Sequence, residues 1–414
     1  MKIPRMNVRT VAVLGAGIMG SSVALMLARR GSRVTLFEQL SQPFEGASRW
    51  NEGKIHLGFL YNADGSMQSA ESMLPGGLSF RHLVEDLIGT PLDAAATQRD
   101  DIYLCQRNSV VPPDAMSQYF ERLAAIVRKH PDARSYFVDV SDCQIEKLSR
   151  AELDALSGST EVLAGFRVPE RSVKTTWVAD RFVEALRAEQ RVEHVLEARV
   201  VSASPADRRD PDGEWFVGTA TETYGPFDFV VNCLWEGRLA IDSSVGLSPV
   251  GKWTHRYRLS LFVHTRGVVE IPSVVIATGP FGDLKNYDGR NFYLSWYPAG
   301  LRCEGTNVLP PARPELGDDA RERVICTIFD ELEKAVPAVS GVRNQADRII
   351  LAGGWVFAVG QGSLSDPGTT LHHRRDFGIR RLGSYVSVDT GKYSTAPWLA
   401  RQIADSVSPG ARRA

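Results

Sequence analysis

The sequence predicts an α/β fold: a Rossmann-like nucleotide domain interrupted by a second domain built on a mixed, largely antiparallel β-sheet. Three observations carry that expectation. A β-branched strand runs into a glycine-rich turn and an apolar helix near the start, aromatic and β-branched runs fill residues 252–297, and apolar strands return near residues 230 and 350.

The first unit is the most legible. Thr10 to Leu14 reads Thr-Val-Ala-Val-Leu, a run short enough to be a strand buried on both faces, and it stops at Gly15. Val23, Leu25, Met26, Leu27 and Ala28 then follow a helical rhythm that Gly31 is placed to end, and Val34 to Phe37 forms a second strand. Strand, helix and strand fit the roughly 30 residues of a right-handed βαβ crossover.

Gly15-Ala-Gly-Ile-Met-Gly20 at the first strand–helix junction matches Gly-x-Gly-x-x-Gly. Gly15 permits the tight turn, Gly17 lets the backbone approach a pyrophosphate, and Gly20 lets helix and strand pack closely. Ile18 and Met19 stand at the helix N-terminus, whose unpaired N–H groups suit phosphate charge. Glu38, 18 residues after Gly20 and followed by Gln39, is placed to accept hydrogen bonds from adenosine ribose hydroxyls and to disfavour a 2′-phosphate. An adenine dinucleotide is therefore the expected ligand. The turn alone does not choose between dinucleotides, and Val-Leu-Gly-Ala-Gly-Ile-Met-Gly also resembles the opening of NAD-dependent 3-hydroxyacyl-CoA dehydrogenases.

Composition sets the outer limits. With 414 residues, the chain is long for one core and suits two packed domains. Its 48 basic and 49 acidic side chains nearly cancel, so no global field attracts nucleic acid or an anionic membrane. Five cysteines (Cys105, Cys143, Cys233, Cys303, Cys326) show neither CxxC nor zinc-like spacing, as expected of reduced thiols in the cytoplasm. No apolar run reaches the roughly 18 residues of a membrane span. No metal site is expected, because the adjacent His372 and His373 lack a third ligand. Neither a Gly-x-Ser-x-Gly elbow nor a His-Glu-x-x-His helix supports a hydrolase.

Farther on, residues 178–189 read as an amphipathic helix, Val200 to Ser204 and residues 215–218 and 227–232 as strands returning to the sheet, and Asp318 to Ala335 as another helix. Tyr257 to His264 and Asn291 to Tyr297 carry antiparallel-sheet signals. The order assigns residues 7–75, 165–240 and 345–405 to the nucleotide domain and 76–164 and 241–344 to the substrate domain.

The segment from Gly46 to Tyr61, Gly-Ala-Ser-Arg-Trp-Asn-Glu-Gly-Lys-Ile-His-Leu-Gly-Phe-Leu-Tyr, resembles the second flavin-contacting stretch of the D-amino-acid oxidase superfamily. Asn51-x-Gly53-x-Ile55-His56-x-Gly58 is most similar to the L-2-hydroxyglutarate oxidases and, more distantly, to flavin-linked glycerol-3-phosphate dehydrogenases. A second match lies in Phe377-Gly-Ile-Arg380 and Val388-Asp-Thr-Gly-Lys-Tyr-Ser-Thr-Ala396, and a looser one in Val230-Val-Asn-Cys-Leu-Trp235, where Cys233 and Leu234 replace the small turn residues of the family. The resemblance implies a glutathione-reductase-type FAD-binding domain and one FAD per chain, held noncovalently or, as in some family members, attached through a histidine in the region of His56. It places Ala47, Ser48, Arg49, Asn51, Gly53, Lys54, Ile55, Val200, Gly391, Lys392, Tyr393, Ser394 and Thr395 among the cofactor contacts, beside Gly15 to Gly20, Glu38 and Gln39.

It also implies the activity, an FAD-dependent oxidase or dehydrogenase that takes a hydride from a CH–OH or CH–NH carbon of a small, polar, carboxylated substrate. His56 is the expected proton acceptor or substrate-orienting group. Arg256, alternating with Arg258 on a substrate-domain strand, and Arg380 in the Gly-Ile-Arg match are expected carboxylate ligands. Lys392 supplies the cation for reduced flavin, and Lys54 or Lys392 is a candidate for dioxygen activation. An NAD-dependent hydroxyacid or hydroxyacyl dehydrogenase is the alternative. The only other partner expected is a second copy in a homodimer.

Overall fold

A computed structural model describes residues 8–408; residue 7, where the expected first segment begins, lies outside the described residues. Strand β1 (Thr10–Leu14), helix α1 (Ile18–Arg29) and strand β2 (Arg33–Phe37) form the crossover read from the sequence. They belong to a six-stranded sheet ordered Gly378–Leu382, Tyr385–Asp389, Phe229–Asn232, β1, β2, Val192–Val195, parallel except for its first strand.

Alternation along β1 explains the layers. Val11 and Val13 face a core shared with α1 and with helices Gln68–Ile88 and Ala396–Val407, whereas Ala12 and Leu14 face a core shared with Val200, Trp215 and Phe227. That second layer is a separate three-stranded meander of Val200–Pro205, Trp215–Thr219 and Thr223–Phe227. Of the strands expected to return to the nucleotide sheet, only Phe229–Asn232 does so. The others cover its outer face, because the apolar side of each is needed there.

The second sheet has nine strands. Its spine is Trp253–Thr265, which pairs along its whole length with Ala346–Val359 and on its other edge with Asn291–Trp296 and Leu301–Gly305. Asp101–Gln106 and Val162–Val168 extend it, and helix Asp318–Ala335 covers one face with Val324, Ile328, Phe329 and Leu332. Ala346–Val359 and Val162–Val168, which the sequence reading divides across the nucleotide segments, thus hydrogen-bond into the large sheet. An apolar strand carries no mark of which sheet it will join.

Candidate functional site

The glycine-rich turn has the geometry its spacing implies. A Cβ on Gly20 would collide with the Gly15 carbonyl oxygen, so only glycine allows α1 to start so close to β1. Ile18 and Met19 are buried in the first helical turn, and the Ile18 N–H donates to Ser48 Oγ at 3.0 Å, tying the turn beside Gly17 to the second loop. The Glu38 carboxylate ends β2 by accepting the N–H groups of Ala16 (2.9 Å) and Leu40 (3.1 Å), with the Gln39 amide also turned toward it. Burial raises the Glu38 pKa despite those donors. Glu236, which sequence reading passed over, is likewise raised by burial, with the Glu38 charge adding to the effect. Val200 packs in the core with Phe37 on the far side of the sheet.

The second loop folds on itself. Asn51 Nδ2 donates to the Ala47 carbonyl at 2.9 Å while its Oδ1 accepts the Gly53 N–H at 2.9 Å. Arg49 pairs with Asp180 at 2.6 Å, and Ala47 lies against Gly354 of the large sheet. Lys54 and Ile55 form a two-residue strand with Arg171 and Ser172. The Lys54 ammonium turns into the interior, where Asp101 and Glu170 bind it; it therefore does not stand free to activate dioxygen.

Helix Gln68–Ile88 brings this loop to the third one. It carries Pro75, Gly76 and Gly77 at its centre. A Cβ on Gly77 would strike the His56 carbonyl, and one on Gly76 would lie 2.6 Å from Thr395 Cγ2. Consecutive glycines thus allow one helix to touch both loops, and the loops become neighbours. In the third loop Gly391 takes φ +62, Lys392 N–H bonds to the Thr390 carbonyl at 2.6 Å, and Thr395 Oγ1 donates to the Lys392 carbonyl at 2.7 Å. Ser394 is buried, and the Tyr393 ring lies 5.7 Å from that of Phe80.

Four cations converge on this junction. Arg256 donates to Tyr297 Oη at 2.8 Å, and the Arg258 guanidinium lies 4.4 Å from the Tyr297 ring centroid. Burial, with Arg256 beside it, pushes the Arg374 guanidinium down to about 10. Burial also brings Lys392 down to about 8; Glu52 favours its charge, while Arg374, Arg256 and Arg258 add to the lowering. Burial works against the Glu52 carboxylate in turn, but Lys392, Arg258 and Lys54 hold it below its ordinary value. The enclosed Nε atoms of Arg256, Arg258 and Arg374, Nη1 of Arg374, Nδ1 of His56 and the hydroxyls of Tyr61 and Tyr393 have no hydrogen-bond partner among the described residues. Burying such donors unpaired costs on the order of 1–3 kcal/mol each, so the arrangement suits a polar, anionic ligand.

His56 lies within this group, 1% exposed, its ring 5.6 Å from that of Tyr61. Burial first, then the charges of Lys392, Lys54, Lys285 and Arg374, drive its pKa well below the usual range and keep it neutral. Arg380 stands apart: it lies on the edge strand Gly378–Leu382 and donates to the Ser248 carbonyl at 2.8 Å. Arg374, in contrast, follows the His372–His373 pair, which the sequence offers only as an incomplete metal site. Glu52, lying inside the quoted flavin-loop motif, carried the only signal that could have marked it.

A family model described as FAD dependent oxidoreductase matches residues 10–365. No curated protein matches in sequence. Among solved structures, glycine oxidase from Geobacillus kaustophilus aligns with 14% identity and TM-score 0.66, covering 98% of this chain and 96% of its own. L-alpha-glycerophosphate oxidase from Mycoplasma pneumoniae, with FAD bound, aligns with 18% identity and TM-score 0.63, covering 99% and 97%. L-proline dehydrogenase from P. horikoshii gives 15% identity and TM-score 0.63, covering 98% and 95%. At these identities the three structures speak for the fold.

Proposed function

From the premise that the chain belongs to the FAD dependent oxidoreductase family, we propose that it oxidises a CH–OH or CH–NH carbon of a small carboxylated substrate, such as a 2-hydroxy acid or an amino acid. The family match also weighs against the NAD-dependent alternative. One observation carries the substrate class: Arg256 is buried and Arg258, Arg374 and Lys392 are half-buried at the junction that holds a neutral His56, with enclosed guanidinium donors left free.

Bound FAD supplies the hydride acceptor. The residues fit it. The Gly15–Gly20 turn and the start of α1 would hold the pyrophosphate, Glu38 the ribose, and the loops Ala47–Ile55 and Gly391–Thr395 the ring system. Arg256, oriented by Tyr297, would take the substrate carboxylate with Arg374 beside it. His56, neutral and unpartnered at Nδ1, would accept the proton from the substrate hydroxyl or amine. Lys392 would keep a positive charge where negative charge gathers on reduction. Five free thiols, three of them buried, support a cytoplasmic location.

The test is an anaerobic screen of 2-hydroxy acids, amino acids and their uncharged amides for bleaching of the yellow holoenzyme. Bleaching by a carboxylate and not by its amide is expected. His56→Ala should retain FAD and lose about 100-fold or more in turnover. Bleaching by uncharged compounds alone, or full turnover in His56→Ala, would overturn this reading.

A further inference from the structure

We propose that Glu170 is the positioning residue for His56, and that a buried ion cluster of Lys54, Asp101, Lys285 and Tyr103 serves to hold Glu170 in place. The inference rests on the role given above to His56. It starts from the backbone that carries the imidazole. Glu170 Oε1 accepts the N–H groups of both residues that follow His56, Leu57 at 2.8 Å and Gly58 at 3.2 Å. On the preceding side Tyr136 Oη donates to the Ile55 carbonyl at 2.7 Å and accepts the Arg171 N–H at 2.8 Å. Gly77 backs the His56 carbonyl itself. The peptide units around His56 are thus clamped, while the imidazole Nδ1 is left free to work.

The second oxygen of Glu170 accepts from Tyr103 Oη at 2.5 Å and from Lys54 Nζ at 3.2 Å. Lys54 in turn shares Asp101 Oδ2 with Lys285, whose ammonium lies 2.6 Å away. The four charged side chains are at most 2% exposed, and their two positive and two negative charges cancel. A cluster of this kind is a poor source of stability, because desolvation offsets most of the attraction and apolar side chains of similar volume do as well or better. What it does supply is a unique position for a carboxylate. Its members also come from both sides of the site: Lys54 lies in the small two-stranded sheet and Glu170 just before its second strand, whereas Asp101, Tyr103 and Lys285 stand on the large one. The cluster therefore fixes the His56 loop relative to the strands that carry Arg256 and Arg258.

The charged and titratable groups facing the imidazole are Lys392, Lys54, Lys285, Arg374 and Tyr61, and the cationic ones all favour its neutral form. The positioning role is tested in the FAD-loaded enzyme with Glu170→Ala and Glu170→Gln. Amide exchange at Leu57 and Gly58 should speed up at least tenfold in Glu170→Ala, with β1 amides unchanged and the His56 resonances of ¹⁵N-histidine-labelled protein displaced. Flavin reduction by the compound that bleaches wild type should slow at least tenfold at unchanged KM. Glu170→Gln keeps an acceptor for both amides and should recover most of the rate and protection. If Glu170→Ala does not fold, Tyr103→Phe, which removes one donor to Glu170, should move the same signals by less. The proposal is overturned if a folded variant leaves the Leu57 and Gly58 amides and the His56 resonances as in wild type, or if the loss falls on KM. Exchange and resonance measurements need no substrate, so they stand even if no carboxylate bleaches the flavin.

Discussion

The fully buried cluster around Lys54 and the half-buried cluster around Arg256 both adjoin the His56 loop, yet their charges are satisfied in opposite ways. Lys54 and Lys285 meet Asp101 and Glu170 at hydrogen-bond distance and cancel. Among the described residues Arg256, Arg258, Arg374 and Lys392 have no such carboxylate partner, and Glu52, Asp283 and Asp389 oppose them at longer range. The first arrangement completes a structure, and the second waits for a ligand. Breaking each should therefore change stability with opposite sign.

The largest effect is expected from Asp101→Asn, which leaves two buried ammonium groups to one carboxylate. Loss of about 3–5 kcal/mol is expected, read as a drop in the denaturant midpoint. Arg374→Met removes a charge that has no partner, so ligand-free stability should hold or rise by about 1 kcal/mol. The same substitution should raise KM for the carboxylated substrate about tenfold or more, the worth of a charge-assisted hydrogen bond. If Arg374→Met destabilises the protein as much as Asp101→Asn, the contrast between the clusters fails.

The pH dependence sharpens the same contrast. Burial brings Lys392 to about 8, below its ordinary 10.5. Between those values the unfolded chain binds more protons than the folded one, so this group makes stability rise with pH across that window; below it the penalty for its charge is present in full. Lys54 has the opposite sign: burial opposes its charge, but Asp101, Tyr103 and Glu170 lift its pKa well above 10.5, so its stabilisation is complete below 10.5 and fades only as pH climbs through the raised value. For the reaction, flavin reduction should fall above about pH 8 as Lys392 loses its proton, while the neutral His56 gives no acid limb between 6.5 and 8. Lys285 is also brought to about 8 by burial, but its ammonium is bonded to Asp101. An alkaline limb that vanishes in Lys392→Met assigns it to Lys392; one that persists there assigns it elsewhere.

What was readable in the sequence follows the range over which each feature is determined. The β1–α1–β2 crossover and helix Asp318–Ala335 were legible because a strand, a glycine turn or an amphipathic helix is fixed by residues a few positions apart. The His56 loop was legible through its family resemblance. The charge clusters were not: Lys54 finds its partners 47 and 116 residues away, and Arg374 follows two histidines in a run with no apolar period. Burial makes a charge informative, and a linear pattern of mixed polar residues does not reveal burial. Arg256 was readable only as one of an alternating pair, and its partnership with Arg374 across 118 positions comes from the fold.

Arg380 marks the converse case, a residue chosen by motif that the fold carries away from the junction. Its strand is the antiparallel edge of the nucleotide sheet, and its guanidinium ends on the Ser248 carbonyl in an exposed hydrogen bond. Such surface contacts contribute within about 0.5 kcal/mol, so Arg380→Ala should leave the melting curve nearly unchanged. It should also leave KM within about twofold of wild type, against the tenfold or greater rise expected from Arg374→Met in the same assay. Were Arg380→Ala to raise KM as Arg374→Met does, the carboxylate site would have to extend to the edge strand, and the Arg256–Arg374 pair would lose its claim to the substrate.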